Sequence, residues 1–294
     1  TLLAMLLTGA LQDYTGAAPS TLADYLRLLP TGWPFAASLL AILLAHEFGH
    51  YIAARRSGTA VTLPYFLPLP GSPFGTLGAF IQLKAPPTNR RVLLDIGIAG
   101  PLAGFVVAVP VLLYGLITSA PLHSIPAGQT SGFEGNSILY VLMKYAVFGR
   151  LLPEPASTGG LPALLFMLRF YLFGIFTPAG GRDVFLNQVA WAGWAGLLVT
   201  GLNLIPAGQL DGGHALYVLF GARARRLLPF ILIVLLGLGF FWQGWLLWAA
   251  LIYFLGRTHA EPLDQITELD TPRRLLAIAA LIVFVLVITP VPLT

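Results

Sequence analysis

Two long apolar runs, residues 33–54 and 92–118, constrain this chain more than any other feature, because each matches the roughly 20 residues a helix needs to cross a hydrocarbon core of about 30 Å. Backbone polar groups at that depth find no water, so the runs must be helices that satisfy their own hydrogen bonds. Composition agrees: 57% of the 294 residues are hydrophobic and only 10% are charged, and the mean hydropathy is +0.82. Soluble domains do not carry that balance. The expected fold is an all-α polytopic membrane protein, a helical bundle of about six to seven spans with a re-entrant loop containing short β-strands. The length serves one integral membrane domain over residues 1–294, with a core at about 33–226 and C-terminal helices at 227–294. Residues 1–11 read as the back half of a span whose start is expected to be missing.

The formal charge is +4, yet the arginines sit in short clusters beside apolar runs: Arg55 and Arg56, Arg90 and Arg91, Arg223 to Arg226, Arg273 and Arg274. Such clusters are topology signals and headgroup anchors. No basic stripe is interleaved with aromatics, so nucleic acid is not an expected partner. By the same rule the C-terminal end of the 33–54 run is cytoplasmic. Cysteine is absent, which leaves His, Asp and Glu to build any transition-metal site.

The remaining chain is uneven. Residues 61–83, VTLPYFLPLPGSPFGTLGAFIQL, contain too many prolines and glycines for a helix and read as the re-entrant loop. Irregular backbone is tolerated there only against protein or a water cavity. The run GIAGPLAG, residues 97–104, lets neighbouring backbones approach closely. Residues 119–183 are the least legible, with interfacial or short helices expected at 138–152 and 161–176, where Lys144 and Arg169 read as snorkelling charges. Further spans are expected at 184–204 and 275–291, and a tight helical hairpin at 227–255.

Inside the first span stands HEFGH. The i, i+4 spacing of His46 and His50 sets two imidazoles on one helix face, able to share a zinc ion, with Glu47 placed to take a proton from water. Two buried histidines that merely knit helices together are the bland alternative, and unpaired polar groups in hydrocarbon are expensive. Catalytic zinc takes three protein ligands and keeps one position open. Most other acids fall in connecting segments or before the first complete span, which leaves Asp95 and Asp211. Asp95, about one turn beyond Arg90 and Arg91, reads as their salt-bridge partner or as a helix-start acid. Asp211, in QLDGG, is the candidate third ligand, and helix capping is compatible with that role. His214, three residues further on, reads as a polar core residue or a support for the ligands.

HEFGH followed by GLNLIPAGQLDGG resembles the site-2 protease family of intramembrane zinc metalloproteases, whose motifs are HExxH and NxxPxxxxDG. Asn203, Pro206, Asp211 and Gly212 match the second motif, and Gly100 to Gly104, GPLAG, resemble the family's glycine-rich helix. Some members have Asn where this chain has Gly104. The resemblance implies cleavage of a membrane-spanning protein or peptide substrate, with one Zn2+ per chain on His46, His50 and Asp211, and with Glu47 as base. Asn203 is a candidate oxyanion donor, competing with a helix-break hydrogen bond near Pro206. A helical substrate must unwind to be cut, and the 61–83 loop could offer it a strand edge, or could be a plug that merely fills the bundle. The competing reading is a catalytically silent membrane module that binds metal or substrate, against which an intact Glu47 argues. The expected setting is a lipid bilayer, a prokaryotic plasma membrane with an organelle membrane as the alternative, and with the site nearer the cytoplasmic side. A regulatory membrane partner or an oligomer is compatible with this reading.

Overall fold

The computed structural model describes residues 1–12, 14, 16, 19–120, 123–125, 134–155, 162–173, 181–255, 263–264 and 267–293. The helices among them are α1 (Leu2–Gln12), α2 (Leu22–Leu28), α3 (Trp33–Arg56), α4 (Arg90–Thr118), α5 (Ile138–Phe148), α6 (Ala163–Met167), α7 (Gln188–Asn203), α8 (Asp211–Phe220), α9 (Leu228–Leu238), α10 (Gly244–Leu255) and α11 (Thr271–Val287). Strands β1 (Tyr65–Pro68) and β2 (Thr76–Phe80) form one sheet; β3 (His123–Ile125), β4 (Glu154–Pro155) and β5 (Gly181–Asp183) form another in the order β3-β5-β4. Packing gathers into two compact units. One comprises Thr1–Ala85, Ala99–Ala120 and Leu186–Val199; the other comprises Pro86–Ile98, Pro121–Phe185 and Thr200–Thr294.

In the first unit α3 starts with Pro34 in its first turn, where a missing N–H costs nothing. It stops at Gly58, whose φ of +73° lets the Thr59 N–H donate to the Ala54 carbonyl at 2.9 Å. Small residues then bring helices into backbone contact. A Cβ on Gly193 would lie 2.6 Å from Leu112 Cα, one on Gly115 would lie 2.2 Å from the Ala190 nitrogen, and one on Gly49 would lie 2.4 Å from the Ala99 carbonyl. The expected loop is a hairpin: β1 and β2 pair antiparallel, with Tyr65 opposite Phe80 and an irregularity between Leu67 and Pro68. Its turn residue Phe74 packs against Trp191 and Trp194 of α7, which seats the loop on the helices as the backbone argument requires.

The second unit is built around Trp245, fully buried with Ile205, Leu235, Ala249 and Ile252, and its indole N–H donates to the Pro290 carbonyl. The hairpin expected at 227–255 is present as α9 and α10. With 11 and 12 residues each, they are about 17 to 18 Å long, roughly half the hydrocarbon thickness.

Two helical stretches, Leu22–Arg56 and Arg90–Thr118, are long and apolar enough to cross a membrane. The other expected spans are shorter among the described residues: α7 has 16 residues and α11 has 17. Residues 184–186 before α7 are apolar and 288–293 after α11 largely so, yet neither stretch is helical, so hydropathy runs overstate helix length. Of the helix expected at 161–176, residues 162–173 hold α6 and a π-turn (Leu168–Leu172); residues 161 and 174–176 lie outside the described chain.

Two expected charge partners are corrected. Asp95 pairs with Arg273, not with Arg90 or Arg91: the Arg273 guanidinium donates to both Asp95 oxygens, through Nη2 at 2.7 Å and Nε at 2.9 Å. A planar fork facing a carboxylate wins over neighbours on the same helix. Lys144 does not snorkel. It is fully buried, with Nζ 3.4 Å from Asp183 Oδ1, 4.0 Å from Glu134 Oε1 and 4.4 Å from the centre of the Tyr140 ring. A buried ammonium persists only when paired in this way.

Tyr140 donates to Glu134 Oε1 at 2.7 Å. Burial pushes the Glu134 carboxyl up from 4.5 to about 7, although Lys144 pulls it down. Folding therefore strengthens proton binding, so this contribution to stability is present below pH 4.5 and is lost as pH rises toward about 7. The thermal midpoint in detergent is expected to fall across that window, and Glu134→Gln should flatten the dependence. An unchanged slope in the variant would assign the effect to another group.

Candidate metal centre

His46, Glu47 and His50 sit in the middle of α3 and are 4%, 4% and 7% exposed. The helix places the two imidazoles one turn apart with Nε2 atoms 3.1 Å from one another and ring planes at 71°. Two ligands on tetrahedral zinc at ordinary Zn–N lengths stand about 3.3 Å apart, so the pair converges as a shared cation would require.

The rings lie where α4 has no side chains. A Cβ on Gly100 would fall 2.1 Å from His50 Nε2, and one on Gly104 would fall 3.2 Å from His46 Cβ and 3.3 Å from its Nδ1. Gly97 does the same for another histidine: a Cβ there would be 3.0 Å from His214 Cβ. Positions 97, 100 and 104 share one helix face, so the glycine run is a surface shaped for imidazoles. The sequence showed close backbone approach in this run but not its object. The i, i+3, i+7 spacing was the available signal.

Asp211 is the first residue of α8, and Leu210, not Asp211, is its N-cap; no side chain caps this helix. The N-cap position thus belongs to Leu210 and not to Asp211. Gly212 and Gly213 are buried because the preceding loop presses on them: a Cβ on Gly212 would lie 1.9 Å from the Leu204 carbonyl. Asn203 closes α7 and is half-buried. One ligand atom each from His46, His50 and Asp211 lies within 4.8 Å of the others, and this is the metal-competent donor group among the described residues. Two imidazoles and one carboxylate form the three-ligand set of a catalytic zinc site, with a coordination position to spare. The residues present thus fit the metal.

Residues 34–240 match the family model of peptidase family M50. The chain is 34% identical over 272 residues to "Probable zinc metalloprotease EGY2, chloroplastic" of Arabidopsis thaliana, covering 92% of this chain and 44% of that protein. It is 33% identical over 271 residues to the protein of the same description from Oryza sativa subsp. indica, with the same coverage. To "Probable zinc metalloprotease EGY1, chloroplastic" of Arabidopsis thaliana it is 32% identical over 260 residues, covering 88% of this chain and 43% of that protein. The chain thus spans less than half the length of these curated relatives. No solved structure matches it significantly.

Proposed function

The chain belongs to peptidase family M50, and on that premise we propose that it is a zinc metalloendopeptidase that hydrolyses peptide bonds in or near the membrane-spanning segments of other proteins. The observation that carries the reading is the buried pair of imidazoles with their nitrogens 3.1 Å apart, joined by Asp211 as a third donor. His46, His50 and Asp211 would hold the zinc, and the bound metal would polarise the scissile carbonyl and acidify water. Glu47 accepts a proton from the attacking water and later delivers it to the departing amine nitrogen. The Asn203 amide N–H donates to the carbonyl oxygen as negative charge develops on it. The β1–β2 hairpin offers an extended edge to an unwound substrate segment.

Placement of the site in a bilayer, nearer the cytoplasmic side, is supported by Arg55 and Arg56 at the end of α3. The relatives are described as chloroplastic plant proteins, so the prokaryotic plasma membrane expected from composition is not carried forward. Substrate choice in this reading falls to membrane contacts or to a membrane partner.

The test is a panel of single-span proteins in lipid vesicles with the zinc-loaded protein. Cutting within the span is expected, and deletion of residues 75–79, which removes most of β2, should slow it. Zinc bound without any cutting would instead favour the silent binding module.

A further inference from the structure

Asp211 can serve as a ligand only if α8 holds it still, and α8 lacks the side-chain cap that steadies a helix start. Three contacts within the second unit replace it. At the N-terminal end the loop carbonyls of Leu204 and Gly208 press on the glycines after Asp211: a Cβ would stand 1.9 Å from the first at Gly212 and 2.5 Å from the second at Gly213. One turn on, the His214 side chain lies on the bare backbone of α4 at Gly97, where a Cβ would stand 3.0 Å from its Cβ and 3.2 to 3.4 Å from its ring carbons Cδ2 and Cγ. At the far end Arg90, the first residue of α4, donates through Nη2 to the carbonyls of Tyr217 and Val218. A helix C-terminus leaves four carbonyls without partners and carries partial negative charge, so a guanidinium there both satisfies and attracts them.

Arg90 takes this position at a cost, since its Nε is buried without a hydrogen-bond partner among the described residues. The start of α4 is itself fixed. Asn89 Oδ1 accepts from the Arg91 and Val92 N–H groups at 3.0 Å, and one turn on Asp95 is gripped by Arg273. The first two turns of α4 are thus a firm bed, and α8 is fastened to it at both ends.

We infer that Arg90 and His214 are positioning residues for Asp211: they fasten α8 to the start of α4 and thereby set the carboxylate for zinc. The inference rests on the zinc-protease reading above. Its readout is zinc affinity of the full chain in lipid, by competition with a chelator, together with the thermal midpoint of the zinc-free form. Arg90→Ala is expected to weaken zinc by about tenfold, comparable with the loss of a supporting hydrogen bond at a metal site. Arg90→Lys, which keeps a cationic donor, should recover most of it. Gly97→Val approaches from the other end by displacing His214 while leaving Arg90 intact, and should give a similar loss; it serves alone if Arg90→Ala does not fold.

Asp211→Asn separates the two levels of the argument. If that variant binds zinc as tightly as the parent, the ligand assignment fails and the inference falls with it. If Asp211→Asn loses zinc while both Arg90→Ala and Gly97→Val keep it, the ligand reading stands and the positioning role is overturned.

Discussion

Glu47→Gln is expected to lower cleavage of a single-span substrate on the order of 10³-fold, the scale of a removed general base, while leaving one zinc per chain in place. Glutamine keeps the shape of the side chain and its capacity to hydrogen-bond, so the buried position, 4% exposed in the parent, remains filled. It cannot accept the proton of the attacking water. Zinc should be retained because the donor group consists of His46, His50 and Asp211, with Glu47 next to one donor in sequence and outside the set. Zinc content measured by atomic emission, beside the rate of substrate loss on gels, separates the two effects. Cleavage within about tenfold of the parent would remove Glu47 from the base role. Loss of zinc with loss of activity would make it a ligand or a fold determinant.

The second large effect is expected at a residue with no functional group. In Gly100→Ala the new methyl would stand 2.1 Å from His50 Nε2, 2.3 Å from its Cδ2 and 2.5 Å from its Cε1. The ring must swing away, and it is a side chain able to do so. The helices can therefore stay where they are while the ligand leaves. Zinc affinity should fall by about 100-fold or more, at the top of the range for changes around a metal site, and the zinc-free thermal midpoint should move little. Two neighbouring glycines supply the contrast. Gly104→Ala places its methyl 3.2 to 3.3 Å from His46, a contact relieved by a few tenths of an ångström, and should be mild. Gly49→Ala strikes the Ala99 carbonyl at 2.4 Å, which is backbone, and should lower stability instead. An unchanged zinc affinity in Gly100→Ala would mean that His50 does not hold the metal in the orientation seen here.

Much of the candidate site was legible because its chemistry is local. HEFGH encodes its geometry in a four-residue spacing, and any helix through it sets His46 and His50 side by side. The proline and glycine density of residues 61–83 likewise announced a loop with short strands, since a helix cannot tolerate it; the hairpin pairing came from the structure. Asp95 was misread for the same reason that HEFGH was readable. Its near neighbours Arg90 and Arg91 were the visible partners, whereas Arg273 lies 178 residues away and meets it only in the folded chain. Lys144 was assigned to an interface because an isolated lysine in an apolar run has no better place; its partners Glu134 and Asp183 come from separate segments. Hydropathy drew the expected runs at 184–204 and 275–291 longer than helices α7 and α11 because it registers apolar content and not the point at which the backbone leaves the helix.

The sequence by itself pointed to the class of the protein and to the candidate donors His46, His50 and Asp211 with Glu47 beside them, because residue type, short-range helical periodicity and two spaced motifs suffice for those. Tertiary structure alone decided what holds them. That Gly100 clears space for His50, that Gly97 accepts His214 and that Arg90 closes the end of α8 depend on which backbones approach within van der Waals distance. Close packing is a property of helix pairs, and no single helix carries it in its own periodicity.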